Sequence, residues 1–155
     1  MNLQEELKAL KERIAELEEL AKEEQEFPQN GDMYWLIEDS TEVSRYVWEG
    51  DDFDNQHLPI GNVFRTQEQA QFAVEKLKVE EELRKFSKPF EPMEGNFFMA
   101  YNSHTESLEI NRYLKTNTQG VIYFGSREEL RQAVESVGVD RIKKYLFGVE
   151  DLIND

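Results

Sequence analysis

The chain of 155 residues contains no cysteine, which excludes disulfides, thiolate metal sites and a cysteine nucleophile. Histidine is nearly absent too, occurring only as His57 and His104. No triad spacing surrounds either one, and the chain has no Walker loop, no Rossmann glycine fingerprint and no His-Glu-x-x-His helix. Long apolar runs are missing: none approaches the roughly 18–20 residues of a membrane span. The first residues are acidic and heptad-like, unlike a secretory signal or a transit peptide. Cations are in short supply, with 18 Lys and Arg against 33 Asp and Glu and a formal net charge of −15. Such a surface is ill suited to gripping a phosphate backbone. These absences lead to the expectation of a soluble, cytoplasmic, acidic protein without an enzymatic site, cofactor, metal or membrane anchor. Aromatic residues, by contrast, make up 12% of the chain, enough to build a packed core.

Residues 1–27 read as one helix. Leu3, Leu7, Leu10, Ile14, Leu17 and Ala21 are spaced alternately four and three apart, which is a heptad repeat with Leu7, Ile14 and Ala21 at a and Leu3, Leu10 and Leu17 at d. In a parallel partner Glu6 (g) would face Lys11 (e), and Arg13 (g) would face Glu18 (e), both pairs of opposite sign. The pattern predicts self-association through a parallel coiled coil, most simply a dimer. Leu20 at a g position widens the stripe and leaves open the alternative that the helix packs on its own chain. Pro28, Gln29, Asn30 and Gly31 end the helix.

The remainder reads as two copies of one unit, residues 31–88 and 93–150. Val63-Phe64-Arg65-Thr66-Gln67-Glu68-Gln69 followed by Ala73-Val74-Glu75 matches Tyr123-Phe124-Gly125-Ser126-Arg127-Glu128-Glu129 followed by Ala133-Val134-Glu135. In each copy a hydroxyl residue precedes Gln69 or Glu129 by three places, a capping box that opens a helix after a short strand. Upstream, residues 33–37 correspond to 97–101, and 42–48 to 108–114. The fold class is therefore α+β: an N-terminal coiled-coil helix, then two tandem strand-strand-strand-helix units with antiparallel sheets. Ala70, Ala73, Val74, Leu77 and Phe86 mark the core face of the first helix, with Leu83 near its edge. Leu130, Ala133, Val134 and Val137 mark that of the second. After Gly138, Asp140 is expected to cap a last helical segment carrying Ile142, Tyr145 and Leu146.

The run Gly61-Asn62-Val63-Phe64-Arg65-Thr66-Gln67-Glu68-Gln69-Ala70, with Trp48 and the acidic stretch Asp51-Asp52-Phe53-Asp54-Asn55 before it, resembles a family of uncharacterised small proteins from phages and prophages of Gram-positive bacteria. The stretch from Arg141 to Glu150 resembles the same family. The resemblance implies the context of a mobile element's accessory gene inside a bacterial host cell, and it implies no chemistry. Three strands followed by a helix opening at Phe-x-Thr-x-Glu is also similar in architecture to the DNA-binding domain of plant ethylene-response factors. The second strands here offer only Arg45 and Arg112, so direct nucleic-acid binding is not expected.

The candidate partner face comprises Trp35, Tyr46, Trp48, Asp51, Asp52 and Asp54. Trp and Tyr are the usual interface anchors, and clustered carboxylates attract a basic surface. The acidic stretch lacks the EF-hand order of ligands, so it reads as a turn or a partner-facing patch rather than a cation site. The expected function is that of a non-enzymatic inhibitor: an acidic phage-type protein that binds a host defence protein, such as a nuclease or CRISPR effector, by imitating nucleic acid. The alternative is an oligomeric sponge for a nucleotide immune signal. It would stack bases on the aromatic residues and hold phosphate with Arg45, Arg65, Arg112, Lys143 and Lys144. A DNA-binding regulator that uses the sheet face ranks below both.

Overall fold

The computed structural model describes residues 2–24, 26–39 and 42–150; Met1, Gln25, Ser40, Thr41 and residues 151–155 lie outside the described residues. The class is α+β, as the sequence pattern predicts. In chain order the elements are α1 (Leu3–Glu24), β1 (Met33–Ile37), β2 (Val43–Val47), α2 (Asp52–His57), a single 3-10 turn over Leu58–Ile60, α3 (Gln67–Arg84), β3 (Asn96–Asn102), β4 (Ser107–Tyr113), α4 (Arg127–Val137) and α5 (Val139–Phe147). The chain divides into two compact units. The first spans Met1–Glu38 and Glu42–Gln67, the second Asp39–Thr41 and Glu68–Asp155.

The heptad residues of α1 are solvent-exposed, from 83% for Leu3 to 48% for Leu17, and Ala21 is exposed as well. Arg13 makes an exposed ion pair with Glu16 of the same helix at 3.0 Å, not with a residue of either unit's core. Pairs of this kind contribute little in water. Packing of the stripe on its own chain is therefore not what the structure adopts.

In the first unit β1 and β2 pair antiparallel, from Met33 opposite Val47 to Ile37 opposite Val43. Alternation sends Tyr34, Leu36 and Tyr46 to one face, where Tyr34, Leu36 and Trp48 form a small core joined by Phe27 and Val63. The expected third strand shrinks to one residue. Phe64 exchanges both backbone hydrogen bonds with Trp35, at 2.8 and 2.9 Å. Beyond it the side-chain amide of Asn62 replaces a backbone partner. It accepts from the Ile37 N–H at 2.7 Å and donates to the Ile37 carbonyl at 2.9 Å.

In the second unit β3 and β4 pair without a bulge, from Asn96 opposite Tyr113 to Asn102 opposite Ser107. Again the third strand meets the hairpin at a single bridge, Phe97 with Phe124, while its neighbour Tyr123 bridges Lys88. Phe124, Leu130, Ala133, Val137 and Ile142 form the core with Val79 and Leu83 of α3. Helix α3 therefore belongs, from Glu68 on, to the second unit, and the boundary falls at Gln67/Glu68 rather than near residue 88. Leu83, expected near an edge, is fully buried, while Leu77, expected in the core, is exposed. The buried residues of α3 run Ala70, Val74, Val79 and Leu83, and the step from Val74 to Val79 turns Leu77 outward.

The second capping box forms as expected. The Ser126 hydroxyl accepts from the Glu129 N–H at 3.1 Å, and the Glu129 carboxylate accepts in return from the Gly125 N–H at 3.1 Å. Asp140 does not cap α5. The residue before the helix is Gly138, whose φ of 103° only glycine adopts without strain, and Asp140 sits inside the first turn.

Asn96 anchors this unit. It is completely buried; its Oδ1 accepts from the Glu91 N–H at 2.9 Å and from Lys88 Nζ at 3.0 Å. Its Nδ2 donates to the carbonyls of Glu91, Glu94 and Tyr113 at 2.9–3.0 Å. Replacing it leaves buried backbone groups unpaired. Asn96→Ala is expected to cost about 3 kcal/mol, and the exposed Asn111→Ala less than about 0.5 kcal/mol. Urea denaturation followed by circular dichroism measures both as a shift of midpoint at constant slope.

Candidate protein-interaction surface

The residues singled out in the first hairpin do not share one surface. Trp35 stands on the outer face, opposite Arg45, whose guanidinium carbon lies 5.9 Å from the indole centroid. Met33 and Val47, the neighbouring pair on that face, are each 45% exposed. Tyr46 and Trp48 go to the other side. Trp48 is 7% exposed and meets Tyr34 edge-on at 5.6 Å, so it is a core residue rather than an anchor for a partner. Tyr46 is half-buried between Tyr34 and Phe53, at centroid distances of 6.1 and 5.0 Å. Its hydroxyl donates to Glu38, and the carboxyl of Glu38 is held below its ordinary pKa by hydrogen bonds from Ser44 and Tyr46.

The acidic stretch is the beginning of α2, not a loop. Asp51 is its N-cap and accepts from the Asp54 N–H at 2.9 Å. Asp51 and Asp52 are exposed, but Asp54 is only 2% exposed. Its carboxylate accepts from the Tyr34 hydroxyl and from the N–H groups of Glu49 at 2.8 Å and Gly50 at 3.0 Å. Burial by itself would raise the pKa of Asp54. The Tyr34 hydroxyl and the backbone N–H groups outweigh it and hold the carboxyl below its ordinary 3.8. Burial and the adjacent carboxylate push the Tyr34 phenol well above its usual range, so it remains a donor. Asp54 is thus withdrawn from the candidate surface, and Asp51 and Asp52 remain on it. Among the described residues no three His, Asp or Glu side chains converge as metal ligands.

The five cations considered for phosphate are dispersed, with only Lys143 and Lys144 sharing an element (α5), and are engaged within their own units. Arg45 lies over Trp35, Arg65 over Phe27 at 4.6 Å and Arg112 over Phe97 at 5.8 Å. Lys143 donates to the Glu106 carbonyl at 2.9 Å, and Lys144 lies 5.4 Å from the Tyr145 ring. His57 Nδ1 is 2.7 Å from the Phe53 carbonyl, and His104 is in an exposed turn.

One correspondence between the units escaped the sequence reading. In both, the bridged aromatic residue of the first strand carries an arginine from the opposite strand over its ring: Trp35, Arg45 and Phe64 in one, Phe97, Arg112 and Phe124 in the other. The hairpin lengths differ, so no ungapped alignment of the strands could superpose these pairs. No family model, curated protein or solved structure matches the chain.

In the first unit Met33, Trp35 and Val47 are half-exposed on the outer face of the hairpin, while exposed Asp51, Asp52, Leu58 and Ile60 belong to the α2 segment, which packs through Phe53 and Asp54 against the opposite face. Exposed aromatic and aliphatic side chains of this kind are what protein interfaces use as anchors.

The buried carboxylate has a measurable consequence. A group whose pKa is lower folded than unfolded contributes stability above its unfolded value, and that contribution is lost as pH falls through the folded value. Melts followed by tryptophan fluorescence (Trp35 and Trp48) are expected to hold steady from neutral pH down to about pH 4 and to fall below it. Asp54→Asn should be less stable at neutral pH by about 2 kcal/mol and should flatten the acid limb. An equal acid limb in both proteins would assign it to other carboxylates.

Proposed function

We propose that this chain is a non-enzymatic, self-associating binding protein: α1 joins copies as a parallel coiled coil, and the outer surface of the first unit engages a basic surface on a partner protein. The observation that carries the reading is the exposure of Leu3, Leu7, Leu10, Ile14, Leu17 and Ala21 of α1, while each unit closes a core of its own. A leucine stripe left in water is a standing driving force for association. Three heptads are marginal alone, so the joined units add to the assembly. The Arg13–Glu16 pair within the helix is exposed, so Arg13 can exchange Glu16 for Glu18 of a second copy at little cost.

The partner reading rests on charge. With a net −15 spread over arm and units, long-range attraction selects cationic surfaces such as nucleic-acid-binding clefts. The resemblance to phage accessory proteins supports a host defence protein, a nuclease or CRISPR effector, as the owner of that cleft. Inhibition there requires occupancy and no chemistry.

Light scattering tests the arm. Wild-type chain is expected at twice the monomer mass, and Leu10→Glu with Ile14→Glu at the monomer mass with unchanged near-ultraviolet circular dichroism; equal masses would remove the coiled coil. Asp51→Asn with Asp52→Asn tests the charge, because Asn preserves the helix cap. It should slow association with a basic partner by about threefold and flatten its salt dependence, with dissociation little changed. Stopped-flow mixing across salt concentrations measures it.

A further inference from the structure

The second unit carries an unpaired sheet edge beside an apolar groove. Phe97 gives both its N–H and its carbonyl to Phe124, at 3.0 and 2.8 Å, so both point away from β4. Phe97 and Arg112 are therefore a non-hydrogen-bonded pair of the β3–β4 ladder. The register is unbroken, and the two kinds of pair alternate along it. Met99 with Ile110 and Tyr101 with Leu108 are then of the same kind. It follows that the backbone groups of Leu108, Ile110 and Arg112 point outward from β4, while those of Glu109 and Asn111 are taken by β3. Among the described residues no other strand pairs with that outer edge.

A groove of about 510 Å³ runs along it, lined by the four consecutive residues Ser107 to Ile110 of β4 and by α4 and α5. A sheet face presents alternate residues, so a lining of consecutive ones means that the edge itself faces the groove. The floor is apolar, with Met99, Leu108, Ile110, Leu130, Val134 and Val139, and the helix side of the groove also carries Arg131, Glu135 and Lys143. Free donors and acceptors along one wall and apolar side chains beneath are what a peptide needs to bind as an added strand.

We propose that this groove takes an extended segment of a partner protein beside β4, with an apolar-basic-apolar pattern. Two apolar side chains, two residues apart, descend onto the floor. The residue between them points to the opposite face, beside exposed Glu109, and is Lys or Arg. A second copy of the chain fits less well, since it brings another net −15 to the same edge, whereas a basic strand neutralises it. The site depends on neither α1 nor Asp51 and Asp52.

The probe is the acetylated, amidated hexapeptide Lys-Ile-Lys-Val-Lys-Ile, added to full-length isotope-labelled protein. Hydrogen exchange by NMR should show new protection at the amides of Leu108, Ile110 and Arg112 and none at Glu109 and Asn111. Val139→Lys, at a position already 42% exposed, should weaken binding by about tenfold. Leu58→Lys, the same charge change at a 43% exposed residue of the first unit, should leave it unchanged. The block-ordered peptide Ile-Ile-Val-Lys-Lys-Lys and the alternately N-methylated hexapeptide should bind about tenfold more weakly as well. Equal binding of either control, equal loss in both Lys variants, protection confined to residues near Asp51, or no binding at about 1 mM would overturn the proposal. Protection of the same amides that appears with protein concentration and without peptide would give the edge to a second copy and overturn it too.

Discussion

Both units turn on how a two-stranded sheet closes its edges. A lone hairpin is marginal in water, and its outer backbone groups are a liability. Here one side of each hairpin is sealed by a single aromatic residue, Phe64 or Phe124, which exchanges a full pair of backbone bonds with the first strand. The bridged aromatic ring is in turn covered by an arginine from the second strand, Arg45 or Arg112. The guanidinium gains the ring's negative face, and its own methylenes shield the ring from water. The device seals one edge and leaves the other strand, β2 or β4, at the margin.

A sheet so narrow cannot define its loops by hydrophobic burial alone, and one buried polar side chain in each unit completes the work. Asp54 gathers a phenol and two N–H groups around the start of α2. Asn96 gathers two donors and three carbonyls around the entry to β3. The choice of residue follows from the groups on offer. Donors alone surround Asp54, so a carboxylate serves, and the hydrogen bonds outweigh its desolvation. Donors and acceptors meet at Asn96, and only an amide can satisfy both.

What the sequence made legible follows from period and spacing. The heptads of α1, the opening of α4 at Ser126 and the paired hairpins all rest on local pattern, and local pattern survives in the fold. Two kinds of information were beyond it. Asp51, Asp52 and Asp54 look alike in the sequence, and only the N-cap geometry of Asp51 turns Asp54 inward while leaving Asp52 in water. Trp48 likewise reads as an anchor until Tyr34 is placed against it. The second kind is partner choice between elements. The helix that follows Thr66 carries a stripe compatible with either sheet, and Val79 and Leu83 find the larger aliphatic core around Phe124 and Ile142. A periodic stripe specifies that a helix packs, not against what.

The same reasoning explains why the exposed features fall where they do. Each core is filled from its own unit: mainly aromatic side chains (Phe27, Tyr34, Tyr46 and Trp48, with Leu36 and Val63) in the first, and aliphatic ones around Phe124 in the second. Neither core draws on α1, whose leucines are left in water, nor on the outer face of β1 and β2, where Met33, Trp35 and Val47 remain half-exposed or more. Apolar surface outside a completed core has no folding role to account for it, and in a chain of this charge it would be an aggregation hazard only if acid did not surround it. The net charge of −15 keeps copies apart except where opposed charges are matched across a seam, as Glu6 with Lys11 and Arg13 with Glu18 would be in register. In the proposed association acidity would select which approach is allowed and exposed apolar surface would supply the free energy once it has been made.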